Sequence, residues 1–527
     1  MGINRPPFCV RPMNPTAPPA PSDRPASQPS GGAHRLFLVI SVLLTLFLGA
    51  LDTLVMGAAM PTVVAQLGGL DVYSWVFSAY LLSRAISLPI FGKLADLFNR
   101  KHLFGASIGI FLAGSLMSGA AGSMPQLILA RTLQGVGAGA NFALVYILLA
   151  DIAAPGKRGK MMSMASIVWG LASVLGPPIG GFIVNFFSWR WIFFINIPLG
   201  LVSLAGIYLF FEDEQTRQRK LSIDIAGALA LAATILPLLT VFLVGGRSHQ
   251  WISPATGSLL LLSALAGAVF VRVERRAADP ILHTDFFRLS GFRNGNVASF
   301  FSSFSIFSLA AFSPLFIQGA LGRTPAEVGV AMIPLSLAWS AGALLCGQTV
   351  HRFRKRTYAV AGGVMLLVAG AAALGSSPGM SLVRLSLILS LAGLGMGFVS
   401  IASLLVVQDS VSDAHLGVST ASHQFTRTLG GTIGVGVAGG LLNTRFDSGL
   451  GRLSGFESLG PELSERLRTN VENLFDTGVQ DRIPAALLQQ LRDLVGESVE
   501  MVFWTATVAA LICTVFCLML PSGKRRR

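Results

Sequence analysis

Charge is what this 527-residue sequence has least of. Only 12% of its residues are Asp, Glu, Lys or Arg, against about 25% in a soluble globular chain. Hydrophobic residues make up 52% and the mean hydropathy is +0.66. These values exclude the three or four soluble domains that the length alone would suggest. Cysteine is scarce as well. Cys9, Cys346, Cys513 and Cys517 are the full set, and none stands in a metal-ligand spacing. Cys513 and Cys517 lie four apart on one apolar stretch and read as small apolar residues, not as a disulfide or zinc site. No Gly-rich phosphate loop is visible, which argues against ATP as the driving force and leaves no cofactor to expect. No Ser/His/Asp or metal-ligand cluster supports an enzyme. No short apolar core with a small-residue cleavage site follows a basic start, so no signal peptide is expected.

Long apolar runs are what the sequence does have. Fourteen are long enough to be candidate membrane helices, since about 20 residues cross a bilayer. They fall near 36–60, 73–92, 103–122, 126–150, 161–184, 191–211, 225–244, 256–272, 294–318, 328–350, 357–375, 382–407, 419–443 and 498–520. The pattern predicts an all-α polytopic membrane protein. Residues 1–33 contain nine prolines and no apolar run, a composition that cannot bury a core and is expected to be disordered.

The formal charge of +14 does not point to nucleic acid, because the cations are confined to alternate loops. Twenty-six of the 39 Lys and Arg fall in the two tails and in the loops near residues 93–101, 157–160, 217–220, 272–293 and 352–356. The short loops between hold only Arg190, Arg247, Arg323 and Arg384. The positive-inside rule then places both termini in the cytoplasm of a plasma or inner membrane. One long outer loop is expected at 444–497, with six Arg and nine Asp or Glu. Apolar spacing at 463–475 and 483–495 leaves two readings open, an amphipathic cap that docks an outer-face or periplasmic partner, and a floppy linker.

Ionisable groups inside an apolar run cost about 2.5–3.5 kcal/mol each on insertion scales. Asp52, Arg84, Arg131 and Arg427 are therefore functional candidates. Hydrocarbon disfavours the charged form of a carboxylate, so Asp52 suits a group that binds and releases a proton. A permanent structural salt bridge is the competing reading. Arg84 is a candidate partner for it, judged by depth along its helix. The aromatic and polar residues Tyr80, Asn141, Tyr146, Trp169, Phe304 and Trp339 are candidate contacts for a large apolar substrate.

Gly92-Lys93-Leu94-Ala95-Asp96-Leu97-Phe98-Asn99-Arg100-Lys101 resembles the loop between helices 2 and 3 of the major facilitator superfamily, with Asn99 in place of the usual Gly. Asn tolerates a left-handed backbone, so the turn is expected to survive. Leu51-Asp52-Thr53, running on to Met60-Pro61, resembles the first-helix motif of that superfamily's fourteen-helix drug:proton antiporters. Leu127, Arg131, Gln134, Gly135 and Gly137 resemble the fourth-helix motif, whose Arg is linked to proton transfer. Gly176-Pro177-Pro178-Ile179-Gly180-Gly181 resembles the fifth-helix antiporter motif, although Ala172 and Ser163 replace two upstream glycines. The segment from Gly347 to Arg356 echoes Gly92–Lys101, as an ancestral duplication would leave it.

The resemblance implies two six-helix bundles, 36–211 and 294–520, with an extra helix pair and linker at 212–293, a tail at 1–35 and a basic tail at 521–527. It implies proton-coupled efflux of lipophilic or amphipathic small molecules by alternating access, with substrate, protons and membrane lipid as partners. Asp52 is expected to carry the proton with Arg427 as its charge partner. Gly92, Asp96, Arg100, Lys101, Asp151 and Arg158, with Arg131 nearby, are expected to form a cytoplasmic gate. Two further readings stay open: an exporter of a native lipid or metabolite that works with an outer-face partner, and a non-transporting membrane receptor.

Overall fold

The computed structural model describes residues 32–68, 74–153, 157–212, 225–248, 253–277, 280, 284–376, 379–412, 415–453, 456–460, 463–464 and 482–521. The described residues fold into fourteen long helices. They are α1 (Gly32–Leu67), α2 (Ser74–Leu97), α3 (Arg100–Ala120), α4 (Met124–Asp151) and α5 (Arg158–Phe186). α6 spans Trp191–Phe194 and Asn196–Phe210, and α7 (Ile225–Ser248) and α8 (Pro254–Glu274) follow. Then come α9 (Ser290–Leu315, ending in a π turn), α10 (Pro325–Thr349), α11 (Lys355–Leu374), α12 (Leu382–Asp409), α13 (Leu416–Leu450) and α14 (Ala485–Leu518). Twelve are long and apolar enough to cross a membrane; α7 and α13 pack alongside them. Large apolar side chains such as Leu129, Phe186, Leu209, Val330 and Val383 stand outward and exposed. That distribution suits lipid, because helices satisfy their own backbone hydrogen bonds and need no water.

The helices sort into two groups of six with matching contacts. α2 and α3 pack on α4, while α5 and α6 pack on α1. In the second group α10 and α11 pack on α12, while α13 and α14 pack on α9. The groups meet along two seams, α2 on α13 and α5 on α10. α7 covers the first seam: Leu231, Ile235 and Leu239 bury Leu82 and Ala85 of α2, with Phe425 and Leu429 of α13 against them. The ends of α2, α4, α10 and α12, and the starts of α3, α5, α11 and α13, share one face rich in Lys and Arg. It is called the basic face below, and the opposite side the far face.

Two local expectations are corrected. Asn99 is extended (φ −60°, ψ 119°) and caps α3, its side chain accepting the His102 amide at 3.2 Å. Asn needs no left-handed turn here, because its oxygen satisfies an otherwise free helix-end donor. The far-face loop is also shorter than 444–497. α13 continues to Leu450 and α14 starts at Ala485. Phe446, Leu450, Ile483, Leu487 and Leu491 are buried in the core, and Arg445 pairs with Glu497 at 3.3 Å. The helical spacing at 483–495 therefore belongs to an extension of the last helix. Most of 463–475 lies outside the described residues.

Candidate functional site

Among the described residues, three clusters built around charged side chains stand out in the apolar interior. The first is built around Asp52 on α1, which is 2% exposed. Its Oδ2 accepts from Arg131 Nη1 of α4 at 2.6 Å. Its Oδ1 accepts from Gln134 Nε2 at 2.8 Å and from Asn196 Nδ2 of α6 at 3.2 Å. Arg131 Nη1 also donates to Gln134 Oε1 at 2.8 Å. Ser115 of α3 completes the node: Asn196 donates to its Oγ at 3.0 Å, and that Oγ donates to the Phe193 carbonyl at 2.9 Å. A buried carboxylate so supplied with donors meets the condition under which an ion pair survives desolvation. The Arg131 guanidinium lies 4.0 Å from the Tyr80 ring centroid of α2, a cation–π stack. α4 can approach α2 this closely because a Cβ on Gly135 would meet the Tyr80 carbonyl oxygen at 2.5 Å.

This node corrects the expected pairing. The charge partner of Asp52 is Arg131, and neither Arg427 nor Arg84 holds it. Arg131 is also no part of the gate. It lies seven residues into α4 from the far face, with Asp151 twenty residues further on, about 30 Å along the helix.

The second cluster closes the basic face. Asp96 accepts the backbone amides of Gly417 and Val418, both at 3.0 Å, at the first turn of α13. Those amides have no partner within the helix and carry the positive end of its dipole. Arg100 reaches Asp96 at 3.7 Å, pairs with Asp151 and donates from Nε to the Ala95 carbonyl at 3.0 Å. Gly92 lets α2 and α13 touch, since a Cβ there would meet Ala421 Cβ at 2.1 Å. The other seam has the same device. A Cβ on Gly347 of α10 would meet the Gly159 carbonyl oxygen of α5 at 2.3 Å. The echo between Gly92 and Gly347 thus corresponds to equivalent places, although His351 caps nothing as Asp96 does among the described residues. Lys101 turns away from this latch, its Nζ 5.8 Å from the Tyr208 ring centroid. Arg158 opens α5 beside Gly159.

The third cluster sits where the bundles meet at mid-membrane. Arg84 of α2 lies over Phe142 of α4 at 4.7 Å and over Trp169 of α5 at 5.6 Å. Arg427 of α13 lies over Trp339 of α10 at 5.2 Å. Tyr146 is in hydrogen-bonding reach of Arg427 and Gln424. Of the six proposed substrate contacts, Tyr146, Trp169 and Trp339 gather here. Tyr80 belongs to the Asp52 node. Asn141 is bound to Ser107 Oγ at 2.6 Å between α3 and α4, and Phe304 packs on Gly434 within the second bundle. Around the fifth-helix motif α5 runs unbroken from Arg158 to Phe186; Gly176 and Gly180 are buried, Pro178 is exposed, and a Cβ on Gly181 would meet nothing. The side chain of Pro177 lies outside the described set. Sequence reasoning missed Ser115 and Asn196, whose only signal was a polar residue inside an apolar run.

Comparison with known proteins places these clusters in context. The Major Facilitator Superfamily profile matches residues 42–225 and 217–435. Multidrug transporter protein MdtP of Bacillus subtilis is 32% identical over 514 residues, covering 93% of this chain and 94% of that protein. Multidrug resistance protein 3 of the same organism is 30% identical, covering 94% of this chain and 96% of its own length. Among solved structures, the human organic anion transporter MFSD10 superposes with a TM-score of 0.60 at 16% identity, covering 89% of this chain and 99% of that one. An identity so low speaks to the fold alone.

Proposed function

Because the chain belongs to the major facilitator superfamily and is of its multidrug efflux type, we propose that it couples export of lipophilic or amphipathic molecules to proton entry, with Asp52 as the proton carrier. One observation carries the coupling: an acid sealed in the outer part of the first bundle, held by Arg131, Gln134 and Asn196 from two other helices. Protonation removes the charge that holds Arg131. The guanidinium then relaxes, and its stack on Tyr80 transmits the change to α2. α2 also bears Arg84 in the central cluster and Gly92 and Asp96 in the latch. One helix thus links the proton node, the bundle seam and the gate. Substrate need not touch Asp52; it biases α2 from the seam, and a two-state rocking of the bundles exchanges one cargo for the other.

In this reading the basic face is cytoplasmic, both termini lie there, and the membrane is an inner or plasma membrane. The latch then holds the cytoplasmic side shut while the far face loads protons. The test is pH-gradient-driven efflux of a dye panel of both charges from proteoliposomes. Asp52→Asn is expected to abolish concentrative efflux. Undiminished gradient-driven efflux in that variant would assign the proton to another group.

A further inference from the structure

We propose that the mid-membrane cluster binds the acidic head of an anionic aromatic or alkyl amphiphile, a carboxylate or sulfonate, between Arg84 and Arg427. The inference rests on the efflux reading above and names the substrate class. Among the described residues neither guanidinium has an acidic partner. Arg84 is 8% exposed, and its Nε has no hydrogen-bond partner. The intramembrane acid Asp52 spends its two oxygens on Arg131, Gln134 and Asn196. Asp96 and Asp151 are committed at the basic face.

The pair is therefore uncompensated positive charge at a place where charge is expensive. The surrounding rings hold the planes of the guanidiniums by cation–π stacking, which leaves the N–H edge of Arg84, with its unpartnered Nε, for an acceptor, and places the Tyr146 hydroxyl beside Arg427 as a further contact. A guanidinium matches a carboxylate or sulfonate with two parallel hydrogen bonds. Phe142, under Arg84, and Tyr146, in reach of Arg427, meet at a tilt with ring centroids 5.1 Å apart, and Trp169 and Trp339 supply the walls for an apolar body. Arg84 belongs to the first bundle and Arg427 to the second, close enough to act on one another electrostatically. An anion between them replaces repulsion by two attractions and draws the bundles together. A lipophilic cation would add a third positive charge.

The experiment uses the full-length protein in nanodiscs of neutral lipid, with pyrenebutyrate and pyrenylmethylammonium as a matched pair of probes. Binding is read by energy transfer from tryptophan to pyrene, with empty nanodiscs subtracted. The anion is expected to bind at least about tenfold more tightly than the cation. Arg84→Gln and Arg427→Gln are each expected to weaken the anion by about tenfold or more, one charge-assisted hydrogen bond's worth, and to leave the cation unchanged or tighter. Arg84→Lys keeps the charge and loses the fork, so it is expected to fall between. Equal affinity of the two probes for the parent would overturn the proposal. So would full anion affinity in the folded double Arg→Gln variant. Because binding is read without a gradient, failed efflux with intact anion binding would count against the transport reading alone.

Discussion

Gly92→Ala probes the latch at its tightest point. The new Cβ would sit 2.1 Å from Ala421 Cβ and 3.2 Å from the Gly417 carbonyl oxygen. Two methyl-sized carbons need about 3.5–4.0 Å, so α2 and α13 must separate by more than an ångström. Asp96 holds the Gly417 and Val418 amides at 3.0 Å, and such a shift takes both beyond hydrogen-bond distance. A hydrogen bond to a charged group is worth about 1.5–3 kcal/mol. Losing two at the lower figure removes about 3 kcal/mol from the closed basic face. At about 1.4 kcal/mol per tenfold, the closed population falls more than a hundredfold relative to the open one. The assay is spin-label distance measurement between cysteines at the exposed positions His102 and Ser412 in a background with the native cysteines replaced. The parent is expected to give a short distance and Gly92→Ala a longer one, with reduced transport. An unchanged distance and unchanged transport in the variant would refute the latch.

Three further outcomes follow from the same geometry. Gly347→Ala is expected to open the α5–α10 seam likewise, since its Cβ would meet the Gly159 carbonyl oxygen at 2.3 Å; distances between labels at Lys157 and Arg352 would show it. Arg131→Gln leaves a buried carboxylate without its counter-charge and is expected to destabilise the fold by about 3–5 kcal/mol, whereas Asp52→Asn with Arg131→Gln recovers part of that loss; an unaltered melting temperature in the single variant would contradict the ion pair's role. Ser448→Cys at the far-face end of α13 is expected to react with an impermeant thiol reagent from outside whole cells, and Lys157→Cys only after permeabilisation; the reverse pattern would invert the orientation.

The fourteen helices were legible because most are apolar runs bounded by polar or basic turns, and hydrocarbon admits little else than a helix. What overshoots the membrane was not. The outer parts of α13 and α14 carry Arg445, Asp447 and Glu497 among buried Phe446, Leu450 and Leu491, so polarity alone presents them as loop. The partner of Asp52 was misjudged for a related reason. Depth counted from helix ends assumes that helices end at the bilayer, and α1 runs for 36 residues. Arg131 stood in a quoted motif, yet which face of α4 meets α1 is decided by packing that one sequence does not display. Asn99 shows the same limit in small: its identity announced a special turn, and only the backbone showed it to be a cap.

The central claim is that protons enter through Asp52 in exchange for substrate. Two fluxes measured in the same proteoliposomes test it most directly: substrate counterflow at equal pH, and concentrative export under an imposed pH gradient. The account predicts that the parent performs both, and that Asp52→Asn retains counterflow while its export no longer responds to the gradient. Export by Asp52→Asn that still follows the pH gradient would contradict it.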